Sequence, residues 1–89
     1  MELTFKRRNH YGITVWESNE TVLDCGIEFP RFRITKEKTT THGGLFVVRE
    51  KDPQRGPGYH YSSNTVSEKK LTDTIYWLNL NLCRIPREF

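Results

Sequence analysis

The sequence has no alanine, only two cysteines and a low apolar content of 35%, and each shortage excludes a class of protein. Without alanine the chain lacks the strongest helix former. Two cysteines are too few for a disulfide scaffold. No apolar run approaches the roughly 18 residues of a membrane-spanning helix, and no apolar segment follows the basic residues near the N-terminus. We therefore expect one domain over residues 1–89, in the cytoplasm and without membrane contact.

The motifs that mark enzymes and metal sites are also missing. The chain contains no glycine-rich phosphate loop, no nucleophile elbow, and no C-x-x-C or H-E-x-x-H spacing. We therefore predict no catalytic residues, no metal and no cofactor. Cys25 and Cys83 are interpreted as small buried hydrophobes or incidental thiols. A less favoured alternative is a small nuclease that uses an acid–base pair drawn from His10, His42 and His60, which lie in or beside predicted loops.

Residues that suit a pleated, half-buried surface are abundant. Val, Ile, Thr, Phe, Tyr and Trp supply 31 of the 89 residues. Alternating or continuous apolar patterns predict six strands, at residues 2–8, 11–17, 21–27, 31–38, 45–50 and 59–61. Asn, Gly, Pro and Ser predict turns at residues 9–10 and 18–20 and loops at residues 39–44 and 51–58.

The C-terminal segment has the spacing of one helix face. The apolar residues on that face are Leu71, Ile75, Leu78, Leu82 and Ile85. Thr65 and Glu68 fit a capping box, and Pro86 fits a helix stop. Residues 78–82 also alternate as a strand would, so residues 74–83 are open to either structure; we favour a helix between residues 67 and 85. The predicted fold is α+β, with an antiparallel sheet of about five strands and one C-terminal helix packed on one face.

Alternation along the strands divides the predicted sheet into an apolar and a basic face. The residues expected to face the helix are Leu3, Phe5, Ile13, Val15, Phe32 and Ile34. The core is expected to include these strand residues from Phe5 onward together with Val47, Leu71, Ile75, Leu78 and Leu82. The other face is expected to carry Thr4, Lys6, Arg8, Thr14, Trp16, Arg31, Arg33 and Thr35.

The basic face predicts contact with nucleic acid, because Lys and Arg neutralise phosphates and an exposed aromatic ring stacks on an unpaired base. The predicted nucleic-acid-binding residues are Lys6, Arg7, Arg8, Trp16, Arg31, Arg33, Lys36, Tyr59 and Tyr61. The net charge of +3 and the pI near 9.0 agree with this prediction. The alternative is that these cations serve solubility and protect sheet edges from aggregation.

The far side of the predicted helix carries a second candidate surface. Tyr76, Leu80 and Cys83 lie on that side with Trp77 on its flank, and we predict Tyr76, Trp77 and Leu80 to be a protein interface. In type, though not in any motif, the chain resembles small accessory proteins of bacteriophages and mobile elements, which implies binding to a host enzyme or its nucleic acid.

The predicted function is therefore that of a small non-enzymatic binding protein. Its basic sheet face binds RNA or DNA, or occupies the nucleic-acid site of a partner. The alternative is an inhibitor or adaptor that docks on a host enzyme through apolar residues of the helix, without nucleic-acid contact. The expected partners are thus nucleic acid or a nucleic-acid-processing protein, and a homodimer is possible.

Overall fold

The computed structural model describes residues 2–37, 45–61 and 68–84 of the chain. Their elements are β1 (Phe5–His10), β2 (Ile13–Ser18), β3 (Thr21–Asp24), β4 (Ile27–Pro30), β5 (Phe32–Lys36), β6 (Phe46–Lys51), a short 3₁₀ turn (Pro53–Arg55), β7 (Tyr59–Tyr61) and α1 (Leu71–Arg84). Five strands form one antiparallel sheet in the order β1-β2-β5-β6-β7. The remaining two strands, β3 and β4, lie between β2 and β5 in sequence and form a separate hairpin. The predicted α+β fold, with five strands in its main sheet and one C-terminal helix, is confirmed.

Two tight hairpin turns set the strand boundaries. Tyr11 and Gly12 join β1 to β2 with φ angles of 52° and 83°, and Cys25 and Gly26 join β3 to β4 with 53° and 78°. Positive φ at both central residues defines the turn whose twist matches antiparallel strands. The predicted turn at residues 9–10 was therefore two residues early, because Asn9 stays in β1 and accepts a 2.9 Å hydrogen bond from the Gly12 amide. The single strand predicted at residues 21–27 was also wrong, since this turn splits the segment into a hairpin.

The core lies between α1 and one side of the main sheet, which we call the inner face. Its buried cluster consists of Leu3, Phe32, Ile34, Val48 and Leu78. Phe5, Trp16, Phe46, Leu71, Ile75 and Leu82 pack against it while partly buried. The predicted helix stripe is confirmed at its described positions, and Ile85 lies outside the described residues.

The two faces of β2 were predicted the wrong way round. Trp16 pairs with Ile34 and Val15 with Thr35, and directly paired residues share a face. Trp16 therefore lies on the inner face, where its ring meets Phe46 edge-on at 5.6 Å. Ile13 was predicted to be buried, but it lies on the other side and is 61% exposed. The large indole fills the space beside Phe46, and because side chains alternate, the aliphatic residues of β2 point the other way.

The helix begins later than its capping signal indicated. Glu68 lies before α1, and its carbonyl accepts the amides of Leu45 and Phe46 at 2.9 Å. Glu68 therefore bonds to the start of β6 rather than capping the helix. Thr65, the other residue of the predicted capping box, lies outside the described residues. Within α1, the Asn79 side chain accepts the Leu3 amide at 2.7 Å and donates to the Leu3 carbonyl at 3.2 Å. That pair ties the segment before β1 to the helix.

The side of the main sheet away from α1 carries a row of charges, and we call it the outer face. Lys6 pairs with Glu17, Glu17 with Arg33, and Arg33 with Arg49, so one row crosses four strands. None of the helices in the described part of the chain is long and apolar enough to cross a membrane.

Candidate functional site

Glu17 is the centre of the charge cluster on the outer face. Its carboxylate receives Arg8 Nε at 3.2 Å and Arg33 Nε at 3.0 Å, and His10 Nε2 lies 3.5 Å away. The Glu17 side chain is only 10% exposed, whereas Arg8 is 53% and Arg33 29% exposed. The carboxylate thus lies beneath the guanidinium groups and fixes them where solvent reaches them.

Two arginines face each other directly across neighbouring strands of this cluster. Arg33 on β5 is paired in register with Arg49 on β6, an arrangement that destabilises a sheet unless anions intervene. Glu17 pairs with Arg33, and Glu37 accepts a 2.8 Å hydrogen bond from Nη1 of Arg49. The Thr35 hydroxyl accepts a further 3.1 Å hydrogen bond from Arg49. The two carboxylates thus offset the repulsion between Arg33 and Arg49.

The described cations of the cluster outnumber its carboxylates. Lys6, Arg8, Arg33 and Arg49 are four cations, and Glu17 and Glu37 are two anions, which leaves two positive charges. The cluster therefore carries a net positive charge even though most of its members are paired.

An open depression of about 330 Å³ adjoins the cluster. It is lined by His10, Tyr11, Ile13, Val15, Arg33, Thr35, Arg49 and Tyr59. The Tyr11 side chain stands fully exposed at its rim, at 101% of its reference area. The depression thus brings aliphatic side chains and an exposed aromatic ring beside two guanidinium groups.

Tyr59 closes one side of the depression and is held from both ends. Arg33 stacks on its ring at 4.3 Å, and its hydroxyl donates to the Pro30 carbonyl. Burial raises the pKa of Tyr59, with a smaller raising contribution from the charge of Glu17, against the opposing charge of Arg33. The ring is therefore already stacked, and the predicted role of Tyr59 in stacking on a base has less surface available to it.

Arg31 links the β3–β4 hairpin to the main sheet through two ion pairs. It donates from Nη1 to Glu20 at 2.6 Å and from Nε to Glu50 at 2.9 Å, and it is 23% exposed. Burial on its own would lower the pKa of Arg31, but the hydrogen bonds and charges of Glu20 and Glu50 reverse the direction and raise it. One cation between two carboxylates leaves a negative charge, so Arg31 is poorly suited to bind phosphate.

Lys51 makes a second connection between the main sheet and the β3–β4 hairpin. Its side chain is 6% exposed, its Nζ lies 3.2 Å from Asp24, and it sits over the Phe29 ring at 4.5 Å. The contacts with Asp24 and Phe29 connect the β3–β4 hairpin to β6 of the main sheet.

The predicted nucleic-acid residues divide between the two faces. Lys6, Arg8 and Arg33 share the outer face as expected. The prediction that Trp16 joins them was wrong, and Arg7, paired with Trp16, and Lys36, whose Nζ lies 5.9 Å from the centre of the Phe46 ring, belong to the inner side as well. The Tyr61 side chain lies outside the described residues.

The predicted protein-interface residues on α1 are only partly exposed. Tyr76 is 62% and Trp77 39% exposed, and their rings meet edge-on at 5.4 Å. Leu80 is half-buried, although it is not one of the residues that pack against the core cluster.

Sequence reasoning missed four residues that the structure brings to this site. Glu17 and Arg49 were hidden because no pattern along one strand reports which charges meet across strands. Ile13 was assigned to the inner face by alternation, and Tyr11 was given no role. The signal that was available is Tyr11-Gly12 itself, since a glycine flanked by strand patterns indicates a two-residue hairpin turn.

The histidines that were considered for catalysis do not meet. His10 is on β1 and His60 on β7, the two edges of the five-stranded sheet, and they lie on opposite faces by register. Four strand spacings separate them, about 19 Å. His42 lies outside the described residues, as does the Cys83 side chain, and Cys25 is exposed in its turn rather than buried. No group of three or more potential metal ligands occurs within the described residues.

The comparisons with known proteins gave no match: no protein family fits the chain, and no curated protein and no solved structure is significantly similar to it. Function must therefore be inferred from the geometry and charge of the side chains themselves.

Proposed function

We propose that this protein is a non-enzymatic binding protein of the cytoplasm whose outer sheet face binds the phosphate backbone of nucleic acid. The observation that carries the proposal is the Glu17 cluster, in which a buried carboxylate holds Arg8 and Arg33 toward solvent. Guanidinium groups fixed in this way lose less conformational freedom when they bind a phosphate than free arginine side chains do.

The surplus of two positive charges favours an anionic ligand, and the row of cations across four strands fits an extended one. Phosphate groups are the anions that arginine binds through paired hydrogen bonds. The arrangement does not distinguish base sequences, so we propose binding that is strongly salt-dependent and largely independent of sequence.

Two neighbouring arginines of β1 provide a matched test. Arg8 is opposite Val15 on the outer face, and Arg7 is opposite Trp16 on the inner side. Arg8→Ala and Arg7→Ala remove the same charge from the same edge strand. Fluorescence anisotropy with a labelled oligonucleotide should show weaker binding for Arg8→Ala and a salt slope reduced by about one, whereas Arg7→Ala should stay close to the wild type.

Two outcomes would count against this function. The first is the absence of oligonucleotide binding by the wild-type protein at about 50 mM salt, where phosphate binding is strong. The second is an equal loss for Arg7→Ala and Arg8→Ala, which would mean that net charge alone, rather than the outer face, determines binding.

The second candidate function is docking on a protein through α1, as an inhibitor, an adaptor or a homodimer. The exposed, edge-on pair of Tyr76 and Trp77 favours it, since aromatic residues are frequent anchors of interfaces. Because Leu80 is half-buried, Tyr76→Asp is the cleaner probe. Sedimentation velocity should then show a wild-type dimer that Tyr76→Asp converts to a folded monomer, and a monomeric wild type would exclude the homodimer.

A further inference from the structure

We infer that the depression beside the Glu17 cluster accepts one unpaired nucleobase, which makes the outer face selective for single-stranded over double-stranded nucleic acid. The inference rests on the proposed function, since it assigns a place to the base whose phosphate the cluster binds.

The depression has the shape and chemistry that a flat, partly polar ring requires. Val15, which is buried, and Ile13, which is 61% exposed, give it an aliphatic lining, and its volume is about 330 Å³. Arg33 and Arg49, whose guanidinium groups also pair with Glu17 and Glu37, line it as well, so cationic groups stand beside the aliphatic surface. Small-molecule and base sites combine apolar surface with a few polar groups in this way.

Tyr11 is placed against local preference. It has a φ of 52°, a region that favours Gly, Asn and Asp, and its whole side chain is exposed. Asparagine would adopt this backbone conformation more easily than tyrosine does. A tyrosine held in a strained conformation therefore points to a functional role. An exposed aromatic ring at the rim of the depression is the platform on which an unpaired base stacks.

The distribution of charge decides between the possible occupants. The depression adjoins a cluster with two surplus positive charges, so a nucleotide, whose base enters the depression and whose phosphate meets the cluster, fits it better than a neutral peptide side chain. A base inside a duplex cannot enter, because its faces are already stacked on its neighbours.

The test compares a labelled oligothymidine with a duplex of equal length. Tyr11→Asn removes the ring and keeps the backbone conformation favourable. It should weaken binding of the single strand about tenfold and leave duplex binding within about twofold of the wild type. Ile13→Thr keeps a β-branched residue in the strand and should give a smaller loss in the same direction. Leu23→Ala, which shortens an apolar side chain that is 66% exposed on the β3–β4 hairpin, is the control and should change neither.

The failures of the two proposals are distinguishable. If Arg8→Ala weakens both forms while Tyr11→Asn leaves the single strand unaffected, or weakens both equally, phosphate binding stands and the base site is overturned. If the wild type binds neither form, both are overturned, and the depression is left as a surface for a protein partner.

Discussion

The two faces of the main sheet are built from the same strands but use them differently. On the inner face, Phe32, Ile34 and Val48 are at most 2% exposed and pack against Leu78 of α1. On the outer face, Glu17 and its arginines are linked by ion pairs. Because strand side chains alternate, Ile34 lies in the core while its neighbour Arg33 joins the charge cluster. The inner face supplies the main apolar cluster, which drives folding. The outer face buries Val15 and Val47 as well, but it also supplies charge, which a partner can use.

The largest expected effect tests the inner face. Leu78→Ala removes a side chain that is 1% exposed at the centre of the core, and it should lower the free energy of unfolding by about 2–5 kcal/mol. Leu23, which is 66% exposed on the hairpin, provides the control, and Leu23→Ala should change stability by less than about 0.5 kcal/mol. Urea unfolding measures both. Similar losses for the two variants would mean that the inner face is not the main source of stability.

A smaller effect is expected at the centre of the outer face. Glu17→Gln keeps the shape of the side chain but leaves Arg8 and Arg33 without their carboxylate, and Arg33 remains directly opposite Arg49. The free energy of unfolding should fall by about 1–3 kcal/mol. Glu2→Gln, at an exposed position, should be close to neutral. A neutral Glu17→Gln would show that the carboxylate does not organise the cluster.

Tyr59, on the outer face, makes the stability of the protein depend on pH in the alkaline range. Its hydroxyl donates to Pro30, so Tyr59→Phe should cost about 0.5–1.5 kcal/mol near neutral pH. Because its pKa is raised in the folded protein, the stability it contributes is complete below its unfolded pKa of about 10. That contribution is lost as pH rises through the folded value. Unfolding at pH values on both sides of this window should show a steeper alkaline decline for the wild type than for Tyr59→Phe, and parallel declines would contradict the account.

The smallest effect is expected at the hairpin tip and has the opposite sign. Tyr11→Asn places a residue that tolerates positive φ in a turn that requires it, so stability should rise by up to about 1 kcal/mol. Tyr11→Val, which is β-branched, should lower it. If Tyr11→Asn is destabilising, the ring contributes to the fold, and its role as an exposed platform is weakened.

The sequence was sufficient for the features that depend on periodicity within one segment. The helix stripe from Leu71 to Leu82 and the inward positions of Phe32 and Ile34 follow from spacing alone, and the structure confirms them. Local turn chemistry was harder, since Cys25-Gly26 divides what reads as one strand into two. The face of β2 failed because Ile13 and Val15 are as apolar as core residues, and only packing against Phe46 decides that Trp16 turns inward.

The candidate site was predictable only in part, and for a physical reason. Alternation places Lys6, Arg8 and Arg33 on one face. It does not reveal that Glu17 lies between Arg8 and Arg33, because that contact depends on the pairing of β2 with both β1 and β5, and the β3–β4 hairpin separates β2 from β5 in sequence. Long-range register, rather than residue type, determines which charges neutralise each other.

The central claim is that the outer face binds nucleic acid while the inner face and α1 hold the fold. Two-dimensional NMR of the labelled protein, titrated with a short single-stranded oligonucleotide, tests it most directly. The account predicts shifts concentrated at Arg8, Ile13 and Arg33, with Leu78 and Thr74 unchanged. Shifts centred on Tyr76 and Trp77, or no shifts at low salt, would contradict it.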